Sequence, residues 1–192
     1  MKRFIAFIIV AVMLFSLAAC GTSRESAQSV AENAIKAVQQ LDTEQMQKYW
    51  GTDKLDTGNG DGFDTSEGSQ AMVKNLTYEI VSAEETGSTA TVKVKFTNVD
   101  VGAALSDAIV AVFQKAFAGE ETTEEDTDAE FINALNSGNY DKVTKEATIT
   151  LTLKDDAWVI DTANRGDVFN AMLADVNTVL DSLSQGLVTS EG

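Results

Sequence analysis

The spacing of apolar residues changes period several times along the chain, and each change marks an element. Val30, Ala31, Ala34, Ile35, Val38 and Leu41 recur every three or four residues, which predicts an amphipathic helix from Ser29 onward. Asp42 or Thr43 can cap a second, short helix, with Gln45 placed for a capping-box contact and Gly51 as its stop. Met46, Tyr49 and Trp50 form its apolar side, and Trp50 is expected in the core rather than as a ligand platform. A further short helix is expected over residues 66–74. The period then drops to two. Leu76, Tyr78 and Ile80 alternate with polar residues, residues 85–88 turn the chain, and Ala90, Val92, Val94 and Phe96 alternate with Thr91, Lys93, Lys95 and Thr97. This is the pattern of an antiparallel hairpin with one buried face and one wet face.

Residues 101–118 are apolar on nearly every side. Their only strongly polar members are Ser106, Asp107, Gln114 and Lys115. Such a helix is either buried on most sides or covers a partner, and burial is the expectation. It is too short and too interrupted to span a bilayer. Gly119 ends it. Residues 120–130 then hold seven acids in eleven positions, enough self-repulsion to predict a solvated loop, with Asp128 capping a short helix through Phe131, Ile132 and Leu135. Ala147, Ile149, Leu151 and Leu153 start a second hairpin, Asp155 and Asp156 turn it, and residues 157–160 return. Asn164 is the expected cap of a long last helix. Asp167 lies in its first turn, and Val168, Phe169, Met172, Leu173, Val176, Val179, Leu180 and Leu183 form one stripe up to Gly186. The fold class is α+β: an antiparallel sheet of about four strands (two hairpins) packed by N-terminal helices, a central apolar helix and a long C-terminal helix.

The N-terminus adds an address. Lys2 and Arg3 precede an apolar run from Phe4 to Leu17, the proportions of a secretory signal rather than of a lasting span. Leu17-Ala18-Ala19-Cys20 resembles the bacterial lipobox. That resemblance implies diacylglyceryl attachment to the Cys20 sulfur, cleavage before Cys20, and acylation (palmitate chemistry) of the new amine. Several acyl chains would anchor the protein stably, since each buried CH2 contributes about 0.8 kcal/mol. Gly21 is not the aspartate that retains lipoproteins in a Gram-negative inner membrane. The expected organisation is residues 1–19 as signal peptide, 20–28 as lipidated Cys20 and tether, 29–186 as a single α+β domain, and 187–192 as a loose tail. The expected location is the extracytoplasmic face of the cell membrane.

Composition narrows the chemistry. Removing residues 1–19 would leave 173 residues and move the net charge from −16 to −18, since only Lys2 and Arg3 among charged residues go. A chain so acidic repels nucleic acid and anionic lipid head groups, so its anchor has to be the lipid on Cys20. There is no histidine, which excludes Ser-His-Asp and Cys-His catalysis and His-ligated metal sites. Cys20 is the one cysteine, so its acylation would leave no thiol. No nucleotide-binding glycine motif is present, and no cofactor is expected. Thirty acids make chance carboxylate pairs unavoidable, so such pairs carry no weight here.

Residues 56–68, DTGNGDGFDTSEG, resemble a calcium loop at first sight. With Gly62 at position 6 of an EF-hand, Asn59 and Asp61 fall at positions 3 and 5, but Thr57 and Gly68 occupy the two end positions that need acids. Asp64 completes one calcium-type nonapeptide, and those sites need stacked copies. Asn59, Asp61 and Asp64 are therefore weak cation candidates, and a loop between helices and sheet is the expectation. The acidic run 120–130 fixes no ligand spacing. Arg165-Gly166-Asp167 matches an adhesion tripeptide but opens a helix, so capping explains it.

The order of these segments resembles that of the small Gram-positive surface lipoproteins with a cystatin-like or nuclear-transport-factor-2-like domain, mostly uncharacterised. The residues that carry it are LDTEQMQKYW, Thr97-Asn98-Val99-Asp100 before a helix, and Lys154-Asp155-Asp156-Ala157-Trp158 before the last strand. The resemblance implies a curved sheet under two helices and often a pocket between them. The expected function is non-catalytic: a membrane-anchored binding module for a small apolar or amphipathic ligand or for an envelope protein partner. The alternatives are a carboxylate-based hydrolase and a calcium-dependent surface binding protein.

Overall fold

The computed structural model describes residues 24–55, 67–174, 176–179 and 181–182. Helix α1 (Ala27–Gln40) starts earlier than the apolar spacing predicts, because the Ser26 hydroxyl accepts from the Ser29 N–H at 3.1 Å and caps it there. Residues 24–28 are thus not a free tether. Ala27 is fully buried and its N–H donates to Glu85 Oε1 at 2.8 Å. The Arg24 guanidinium sits 5.1 Å from the Trp158 ring centroid, with nitrogens 3.7 Å from Glu85 and 3.4 Å from Asp156. At its other end α1 closes with Leu41 at φ 50°, and the Asp42 N–H reaches Ala37 O at 3.0 Å. Asp42 then accepts from the Gln45 N–H at 3.0 Å and caps α2 (Thr43–Trp50), which stops at Gly51 with φ 67°. A further helix, α3, spans Glu67–Val73.

Strands β1 (Thr77–Thr86), β2 (Thr89–Val99), β3 (Lys142–Lys154) and β4 (Ala157–Ile160) form one curved, unclosed antiparallel sheet in the order β1-β2-β3-β4. Both tight turns lie at one end of it, since Thr89 pairs with Thr152. Gly87 turns β1 into β2 with φ 61°. Asp155 and Asp156, at φ 48° and 63°, turn β3 into β4 in the double left-handed geometry that matches strand twist. Ala90, Val92, Val94, Phe96, Ile149, Leu151, Trp158 and Ile160 all bury toward the helices. The outer face stays wet with Thr, Lys and Glu. A register shift between Ile80 and Ser82 takes β1 out of this scheme, and from Val81 to Thr86 every residue is exposed.

The core joins α1, α2 and α6 (Arg165–Met172) to the inner sheet face. Trp50 is 1 % exposed, donates its indole N–H to Ala34 O at 2.8 Å, and meets Phe169 edge-on at 5.2 Å. The expected long last helix is broken. Met172 ends α6, Ala174 takes φ 56°, and helical geometry resumes at residues 176–179. Two side chains explain the break. Asn98, 1 % exposed at the end of β2, donates to Met72 O at 2.9 Å and to Met172 O at 3.0 Å, satisfying end-of-helix carbonyls of α3 and α6. Asn170 Oδ1 accepts from the Asn177 N–H at 3.1 Å beyond the break. The apolar stripe crosses this point without interruption, so periodicity alone cannot see it. Asn164 also differs from expectation. Its side chain donates to Thr148 O instead of capping α6, and Asp161 caps a single 3-10 turn over Thr162–Asn164.

Candidate functional site

Between β2 and β3 the chain makes a helical hairpin, α4 (Val101–Phe117) and α5 (Glu124–Asn136). It leaves from and returns to the end of the sheet opposite the tight turns, where the Asp100 N–H donates to Asp141 O at 3.0 Å. Asp100 caps α4 by accepting from the Ala103 N–H at 2.8 Å. Val101, Gly102, Ala104 and Ala108 of α4 are buried. A Cβ on Gly102 would stand 2.8 Å from Val179 Cγ2, so glycine here permits the close pass of the chain beyond α6.

The outer half of α4 corrects the expectation of burial on most sides. Val110 is 52 % exposed, Phe113 57 % and Phe117 90 %. These positions lie three and four residues apart and share one face of the helix. The hairpin explains the difference: among the described residues α4 has one partner helix along this length, α5, so its all-round apolar surface is covered there on one side.

Helix α5 corrects the acidic loop. Thr123, not Asp128, caps it. The Thr123 hydroxyl accepts from the Asp126 N–H at 3.3 Å, and Asp126 Oδ2 accepts from the Thr123 N–H at 2.8 Å. The reciprocal pair, with acids at the positive end of the helix, offsets the self-repulsion that predicted a loop. The Thr123 N–H and hydroxyl hold the Asp126 carboxyl below its usual range. Lys115 Nζ bridges to Glu130 at 2.6 Å, and that bond, with Asp126 and Glu120 nearby, raises the lysine. The tip of the hairpin is therefore apolar on α4, acidic around it, and crossed by one lysine already paired with an acid.

A groove of about 450 Å³ opens where α3 meets the hairpin. Met72, Leu105, Phe131 and Ile132 make its apolar walls, and Glu67 and Glu125 stand at its edge. A wider groove between α1, α3 and α5 is more polar, with Gln39, Gln70 and Lys74 on it.

Cys20, Asn59, Asp61 and Asp64 lie outside the described residues. Among the described residues no group of three or more acids could hold a metal ion, and no helix is long and apolar enough to cross a membrane. Arg165 donates to Trp50 O at 2.9 Å and opens α6, so the adhesion tripeptide is built into the helix start. Sequence reasoning passed over Val110, Phe113 and Phe117. Their shared face is readable from spacing, but which face of an all-apolar helix stays open is decided by tertiary packing.

No protein-family model matches the chain, and no curated protein matches it. The chain is similar to a crystal structure of a candidate lipoprotein (ycdA) from Bacillus subtilis subsp. subtilis strain 168, with 13 % identity and a TM-score of 0.41. The match covers 54 % of this chain and 34 % of that one, so the chain spans about a third of its length. A likeness at this level transfers neither a fold family nor an activity.

Proposed function

We propose that the protein is a lipid-anchored extracytoplasmic binding module without catalytic activity, and that the α4–α5 hairpin is its binding element. One observation carries the reading: Val110, Phe113 and Phe117 are the three most exposed large apolar residues among the described ones and form one stripe on α4, whereas the exposed Val81 and Val159 stand singly on β1 and β4. The anchor is the acylated Cys20, at the extracytoplasmic face of the cell membrane. The groove beside Leu105 and Phe131 gives specific ground for a second reading, a small amphipathic ligand held between α3 and the hairpin.

Two measurements test the proposal. Cells fed labelled palmitate are expected to label the wild-type chain and not Cys20→Ala, and the variant is expected to leave the membrane fraction. The dye bis-ANS is expected to bind the native wild-type chain and to lose most of its signal with Phe113→Ser/Phe117→Ser. Retained dye binding in that variant would sink the assignment to α4, and loss only with Leu105→Ser would favour the groove.

A further inference from the structure

The hairpin's surroundings define what it can bind, given the reading of α4–α5 as the binding element. Three carboxylates, Glu120, Asp126 and Glu130, act on Lys115 at its tip, and Glu121 and Glu125 add to them. An occupant of the stripe has to bury apolar surface on Phe113 and Phe117 while its rim meets acids, which selects against anionic lipid and against a second copy of this acidic chain. The geometry of the anchor agrees. Arg24 is clasped between Trp158, Glu85 and Asp156 at the turn end of the sheet. Cys20 lies four residues before it, a reach of at most about 14 Å. The hairpin is rooted at the other end of β2, about 33 Å away at strand rise. Helix α4 (about 25 Å long) packs along α5 rather than back along the strands, so its course does not return its tip toward the anchored end.

We propose that the Val110–Phe113–Phe117 face of α4 docks a basic amphipathic segment of another envelope protein, presented away from the membrane that holds Cys20. The apolar residues of that segment cover the stripe, and its Lys or Arg residues meet the acids of the α4–α5 tip.

The test uses the full chain in neutral phosphatidylcholine nanodiscs, or free in buffer if mass spectrometry finds no acyl group on Cys20. That mass measurement judges the anchor separately from the docking. The probes are a helical Leu/Lys peptide, its Leu/Glu counterpart and phosphatidylglycerol vesicles. The Leu/Lys peptide is expected to bind, with affinity falling at least tenfold for Phe113→Ser/Phe117→Ser and less than twofold for the control Val81→Ser/Val159→Ser, which alters exposed valines on the sheet. Equal affinity for both double variants would reduce the effect to net charge and overturn the proposal. So would equal binding of the Leu/Glu peptide, Phe-dependent binding of the vesicles, or Phe-dependent self-association by sedimentation.

Discussion

The sheet body and the α4–α5 hairpin are both rich in apolar residues, yet they use them in opposite ways. In the body, two layers face each other. The inner residues of β2, β3 and β4 meet α1, α2 and α6, and Trp50, Phe96 and Phe169 are wholly buried. In the hairpin, among the described residues, two helices face only each other over their outer length, and Phe113 and Phe117 are exposed. The difference teaches that apolar content does not by itself predict burial. Burial needs a second layer, and among the described residues the hairpin, attached at one end of the sheet, has none at its tip.

The comparison makes its sharpest prediction for aromatic truncation. Trp50→Ala should cost about 3–5 kcal/mol of unfolding free energy in urea titration, because it empties a packed site and abandons the bond to Ala34 O. Phe117→Ala should change stability by less than about 0.5 kcal/mol. Equal losses would erase the distinction between the two regions. Next in size is Asn98→Leu. It strands two buried carbonyls and should cost about 2–4 kcal/mol in the same titration. Asp100→Ala removes the cap that roots the hairpin and should cost about 1 kcal/mol, read most clearly as faster amide exchange in the first turn of α4.

The smallest effect is electrostatic and confined to the hairpin. The Asp126 carboxyl is depressed by its bonds from Thr123. Its contribution is therefore present above the ordinary value of 3.8 and is lost as pH falls through the lower folded value. Lys115 is raised by its bond to Glu130, so its contribution is present below 10.5 and is lost as pH rises through the folded value. Acidification should loosen the first-turn amides of α5 before the body responds, and Asp126→Asn should remove that step in NMR exchange measurements.

Much of this fold was legible because local chemistry and tertiary packing agree. The alternation of Ala90, Val92, Val94 and Phe96 became the inner face of β2, Asp42 and Gly51 bounded α2, and Asp155-Asp156 turned the second hairpin. The misreadings arose where a distant partner decides. Asn98 breaks the last helix through a bond to a carbonyl 74 residues away, which no window of sequence contains, and Asn170 adds a bond seven residues on that apolar period does not register. The capping pair Thr123 and Asp126 was readable, but charge density outweighed it in the reading. The site was less legible than the fold. Period and polarity identify α4 as apolar, but only the hairpin topology shows that Phe113 and Phe117 have no cover among the described residues.

The central claim is that the outer half of α4 is a binding face and not a misplaced piece of core. Amide hydrogen exchange on the full chain, with and without the Leu/Lys peptide, addresses it most directly. The account predicts added protection across residues 109–118, with the amides of α1, β2 and β3 unchanged. Protection spread over the sheet body, or none on α4 at saturating peptide, would contradict it.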